Sequence, residues 1–168
     1  MAETRFHMST EPCAIVQLDG WSAAFETGLS HQLGGALPAA CGETAVLCRW
    51  LAIRIAPRRI WLVGDGTSTP PPIDTELGCS VSLGESRVRL RLSGTHIFDV
   101  LGACVAVNWD APHAAPGRAV QTGFHHVPVV LLRRAANACD LLEPRRFARS
   151  LADWVADAAA PYRLETAE

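Results

Sequence analysis

Three small groups of residues have the types and spacing from which chemistry could be built. Ser93, His96 and Asp99 bring a nucleophile, a base and an orienting acid within seven positions. The adjacent His125 and His126 could supply half of a metal site, and Gly64-Asp65-Gly66 follows an apolar run as a phosphate loop would. Two arginine groups could grip anions or carboxylates through bidentate pairs. One is the row Arg87, Arg89, Arg91; the other is Arg145, Arg146 and Arg149.

The elements that must carry these residues weaken most of the catalytic readings. RVRLRL (87–92) alternates arginine with Val88, Leu90 and Leu92, the pattern of a strand with one buried face. Ser93 follows where a helix N-cap belongs, with Ile97, Val100 and Leu101 at helical spacing after it. On such a helix Ser93, His96 and Asp99 project side by side rather than converging, so Ser93 is expected to cap and not to attack. His125-His126 falls between two strand-like runs, GRAVQTGF (117–124) and VPVVLLRR (127–134), and is expected to be an exposed tight turn without a nearby third ligand. Gly64-Asp65-Gly66 leads into a proline run and not into a helix with a glycine fingerprint, so nucleotide binding is not expected. The arginine row is read either as an anion or partner grip or as a solvated strand face. The arginines of the last helix are likewise read as a dock for an acidic neighbour or as a solvated basic face. Trp50, Trp61, Trp109 and Trp154 lie in patterned segments and are expected in the core. No residue is assigned a catalytic, cofactor-binding or metal-ligating role.

The remaining chain supplies a coarse architecture. The first 12 residues read as a polar tail, AIVQLD (14–19) as a strand, and residues 21–33 as a helix with Trp21, Phe25, Leu29 and Leu33 on one face, stopped by Gly34-Gly35. ETAVLCRWLAIRIA (43–56) is nearly continuously apolar and has a helical alternative, but Pro57 and the second run IWLV (60–63) favour strands joined by a hairpin around Ala56 to Arg59. Residues 64–72, GDGTSTPPP, can hold neither helix nor central strand. DLLEP (140–144) follows the second hairpin, and RRFARSLADWVADAA (145–159) closes the chain as a helix with Phe147, Leu151, Trp154 and Val155 on one side. The fold class is therefore α+β: an N-terminal half over 13–66, a proline-rich connector over 67–86, and a C-terminal half over 87–168, each with helices on one face of mostly antiparallel strands.

Composition excludes several function classes. With 168 residues the chain can bury a sufficient core without staples. Six cysteines without a CxxC pair disfavour structural disulfides and zinc, and Cys48 beside Arg49 is the one hint of an activated thiol. A net charge of -2 argues against a nucleic-acid surface. All 15 basic residues are arginine, a bias that a GC-rich genome or selection for interfaces would produce. The apolar fraction of 49% makes association the simpler expectation. There is no run long enough to span a bilayer and no signal-peptide pattern, so a cytoplasmic location is expected.

The order of elements, with SG (93–94) before DVL (99–101), a PG-start strand bearing QT (Pro116, Gly117, Gln121, Thr122) and then EPRRFARSLADWV (143–155), resembles the gamma subunit of heterotetrameric sarcosine oxidase. That subunit is a small relative of the aminomethyltransferase, or glycine cleavage T protein, superfamily. IVQLDG (15–20), the helix near 21–33 and RRIWLVGDG (58–66) extend the resemblance to roughly residues 13–160. The resemblance implies the folate-binding aminomethyltransferase-type fold and a non-catalytic subunit that braces a complex with alpha, beta and delta chains. In that complex FAD, FMN, NAD and tetrahydrofolate belong to partner subunits, which demethylate sarcosine to glycine. One departure is APRRIW (56–61), where relatives tend to carry a Gly-Pro-acidic turn. An equivalent subunit of another N-methyl amine complex, such as N-methylglutamate dehydrogenase, fits the same resemblance. A stand-alone folate-binding or one-carbon-binding protein would need an acid inside a pocket, with Asp65, Asp99 and Glu143 as candidates.

Overall fold

A computed structural model describes residues 6–67 and 69–164. The chain divides into two compact units, one of Pro12–Arg87 and one that joins the segment ending at Glu11 to the chain from Val88 onward.

In the first unit five strands form one sheet in the order β3-β4-β5-β2-β6. They are β2 (Ala14–Gly20), β3 (Thr44–Leu47), β4 (Trp50–Ala56), β5 (Arg59–Gly64) and β6 (Gly78–Ser82), and every neighbouring pair is antiparallel. Helix α1 (Ala23–Leu33) lays Phe25, Leu29 and Leu33 on Val16, Leu18, Ile60 and Leu62. Burial of each such side chain contributes about 1.5–3 kcal/mol. Gly34 ends the helix in the left-handed conformation, φ 70°, and its N–H reaches the His31 carbonyl. Gly20 has a different reason to be glycine: a Cβ there would stand 2.2 Å from the Phe25 ring.

The second unit is built on the sheet β1-β7-β10-β9-β8. Its strands are β1 (His7–Glu11), β7 (Arg87–Ser93), β8 (Ala119–Phe124), β9 (Val127–Ala135) and β10 (Ala138–Pro144), with α2 (Ile97–Gly102) and α3 (Ala148–Ala158), followed by α4 (Ala160–Leu164). One face of the sheet carries Leu90, Leu92, Leu131, Cys139 and Leu141, packed with Ile97, Val100, Leu101, Leu151 and Val155 of the helices. The α+β expectation, with helices on one face of antiparallel strands, matches both units.

Five expectations change in detail. The tail expected over the first 12 residues contains β1, whose register sets Ser9 opposite Arg91 and Glu11 opposite Arg89. The connector expected over 67–86 contains β6, a strand whose GCSVS buries only Gly78, so no alternation marks it in the sequence. Ser93 ends β7 instead of capping α2, because the chain first turns at Gly94, φ 142°, whose N–H bonds the Asn137 carbonyl. Trp21 precedes α1 and is 56% exposed, so it lies outside the helix's apolar face. The apolar run 43–56 holds two strands, broken by a tight turn at Cys48, φ 53°. No helix among the described residues is long and apolar enough to cross a membrane.

Candidate functional site

The two arginine groups are the chemically richest features, and the fold treats them differently. Alternation along β7 turns Val88, Leu90 and Leu92 inward and Arg87, Arg89 and Arg91 to the opposite face. There they meet an acid from the next strand. Asp140 of β10 is only 2% exposed, and its carboxylate lies 3.8 Å from Arg89 Nε, 3.5 Å from Arg91 Nε and 2.7 Å from Arg134 Nε. Glu11 of β1 adds a contact at 3.2 Å to Arg91. Arg87 places its guanidinium 4.7 Å from the Trp61 ring centroid, and burial lowers its pKa. The Trp61 indole N–H in turn donates to Gln17 at 3.0 Å. The row is therefore neither a bare solvated face nor a set of uncommitted anion ligands, since three of the neighbouring guanidinium groups share one buried carboxylate.

The second group faces outward. Arg145 and Arg146 lie in a 3-10 turn and Arg149 in the first turn of α3, all three exposed. Arg146 stacks 4.8 Å over Phe147, and Arg149, 97% exposed, approaches Asp153 at 3.9 Å.

The other sequence candidates do not converge. His96 Nδ1 lies 3.0 Å from Asp99 in an exposed pair, and its ring stacks on Tyr162 at 4.9 Å, while Ser93 belongs to the strand. His125 and His126 form the exposed β8–β9 turn. Among the described residues no three His, Cys, Asp or Glu side chains cluster as metal ligands. Asp65 folds back to accept from the Thr67 N–H and hydroxyl, and these bonds hold its carboxyl below the ordinary value. The Cys48 thiol donates to the Leu33 carbonyl at 3.2 Å. Trp50 and Trp61 are buried, whereas Trp109 and Trp154 are half-buried at the edge of the second unit's core.

Three features escaped the sequence reading. Arg54, 6% exposed on β4, makes a bidentate pair with Glu26 of α1 at 3.0 and 2.8 Å and also donates to the Pro38 carbonyl. This pairing lowers the pKa of Glu26 and raises that of Arg54. The pair floors an open cleft of about 880 Å³ walled by Ser30, Leu37, Cys41 and Arg58. Arg58, in the APRRIW turn, holds φ 83° and donates to the Trp21 carbonyl at 2.9 Å. The second missed feature is Asp140, whose signal was an acid interrupting the apolar run ACDLL. The third is the environment of Glu143, which is fully buried with neither carboxyl oxygen hydrogen-bonded among the described residues. Burial pushes its pKa up to about 8. Asp65 and Asp99 are exposed, so of the three acids considered for a pocket only Glu143 is inside the protein.

An α+β chain of two units, each a five-stranded sheet with helices on one face, defines a recognisable fold. No family model and no curated protein matches the sequence. Among solved structures, 97% of this chain superposes on 88% of a chain of the heterotetrameric sarcosine oxidase from Corynebacterium sp. U-96 in complex with pyrrole 2-carboxylate, with a TM-score of 0.81 at 18% identity. The glycine cleavage system aminomethyltransferase T of Bartonella henselae matches 90% of this chain with a TM-score of 0.65 at 17% identity, over 46% of its own length. The chain thus has the fold shared by these two proteins, as its resemblance to that superfamily implied.

Proposed function

We propose that this chain is the small, gamma-type subunit of a sarcosine oxidase-like complex, in which it braces flavin-bearing partners and performs no catalytic step of its own. The observation that carries this reading is the mutual coverage. The chain and the sarcosine oxidase chain match over nearly all of both, 97% and 88%, whereas only 46% of the aminomethyltransferase is spanned. The match takes in most of the oxidase chain and less than half of the transferase. By the resemblance, FAD, FMN, NAD and tetrahydrofolate would be held by the alpha and beta chains. The choice among sarcosine and other N-methyl amines would also be made there.

Co-expression with candidate flavoprotein chains of a sarcosine oxidase-type complex, followed by size-exclusion chromatography read at flavin wavelengths, tests the proposal. Elution within a yellow large complex is the expected result. Elution alone, colourless and stable, would overturn it and turn attention to a stand-alone one-carbon-binding protein. That second reading draws on Glu143, the buried acid, and predicts saturable binding of a reduced folate that Glu143→Gln weakens, measured by calorimetry.

A further inference from the structure

The β8–β9 turn and the start of α3 place aromatic and cationic side chains together on the surface of the second unit. His125, held at φ 51°, sets its ring edge-on to Trp154 at 4.7 Å and 86°. His126 flanks the same indole at 6.1 Å and Phe147 at 6.5 Å. Arg146 lies over the Phe147 ring at 4.8 Å. The two histidines and Arg145, Arg146 and Arg149 are exposed, while Phe147 and Trp154 are half-buried, so their rings are anchored in the core and still reach solvent. A fixed aromatic pair rimmed by arginine has the make-up of a protein-binding hot spot.

Charge selects the occupant. Among the described residues Arg149 approaches one acid, Asp153, at 3.9 Å and Arg146 lies over the Phe147 ring, in a chain whose net charge is -2. The first turn of α3 has no acidic residue and Phe147 provides no side-chain cap. Arginines at that end of a helix are on its unfavourable side, which an anionic neighbour would offset. Nucleic acid fits poorly, because the cationic residues are confined to one turn and the rest of the helix carries Asp153 and Asp157. We propose that this patch docks an acidic segment of a partner protein, with carboxylates on Arg146 and Arg149 and an apolar side chain on Phe147 and Trp154. The proposal rests on the reading of this chain as a subunit and names one of its docking surfaces.

The test uses the full chain, immobilised, with the co-expressed flavoprotein partners as the probe, and follows dissociation by biolayer interferometry. The double variant R146E/R149E is expected to weaken capture about tenfold or more, and H125N/H126A several-fold. R49E, an exposed charge reversal in the other unit, should change nothing. Added salt should weaken the wild type more steeply than R146E/R149E. Circular dichroism melts confirm that each variant is folded. If R146E/R149E binds as the wild type does, or R49E weakens capture equally, the patch is overturned while the subunit reading stands. If H125N/H126A binds as the wild type does, the turn is removed from the surface. If the wild type itself captures nothing, both the subunit reading and this surface fall.

Discussion

The two faces of the second unit's sheet bury one acid each and treat it in opposite ways. Asp140 and Glu143 lie three residues apart on β10, so alternation sends them to opposite sides. Asp140 meets guanidinium groups from β7 and β9, whereas Glu143 falls with Cys139 and Leu141 on the helix-covered, apolar side and finds no partner among the described residues. The same strand therefore holds one carboxylate whose charge is balanced and one carboxyl that burial favours in its neutral form. Burial alone does not fix the state of an acid; the residues of the adjoining strands on its own face do.

The largest expected effect comes from breaking the balanced side. Asp140→Ala would leave Arg89, Arg91 and Arg134 facing one another with, among the described residues, Glu11 as the acid still paired to Arg91, and should destabilise the fold by about 3–5 kcal/mol in urea titration. A loss below about 1 kcal/mol would mean that solvent already screens the cluster. The unbalanced side is probed through pH. Below its ordinary value near 4.5 Glu143 is protonated whether the chain is folded or not; between there and about 8 the folded chain keeps a proton that the unfolded chain releases. Its neutral form therefore supports folding fully at low pH, and that support is lost as pH rises through about 8. Urea titrations across this window should show a decline of a few kcal/mol in the wild type, and Glu143→Gln should flatten it. An unchanged slope in that variant would assign the decline elsewhere.

The comparison also predicts small effects. Ser93 reads in the sequence as a cap but ends a strand, so Ser93→Ala should shift stability by less than about 0.5 kcal/mol, against about 1 kcal/mol for a true cap. A larger loss would restore the capping role. Arg149→Glu, at a side chain 97% exposed, should leave the melting temperature of the isolated chain unchanged, in contrast to Asp140→Ala.

What the sequence determined by itself was whatever repeats at short range. Alternation marked β7 and its buried Val88, Leu90 and Leu92; the two apolar runs around His125-His126 marked the second hairpin; spacing placed Phe25, Leu29 and Leu33 on α1, and Leu151 and Val155 on α3. These patterns survive in the structure because each is fixed by the geometry of a single element. Strands β1 and β6 were invisible because edge strands bury too little to impose a pattern, with GCSVS burying one residue of five. Only the tertiary structure decided how the two arginine groups differ. The partners of Arg89 and Arg91 lie on Asp140, about fifty positions away in the chain, and on Glu11, which comes from the other end of the sequence. Strand order brought those charges together, and no local pattern encodes which strands become neighbours. The pairing of Arg54 with Glu26, the orphaned carboxyl of Glu143 and the seating of His125 and His126 against Trp154 have the same origin: each depends on which side chains the fold brings face to face.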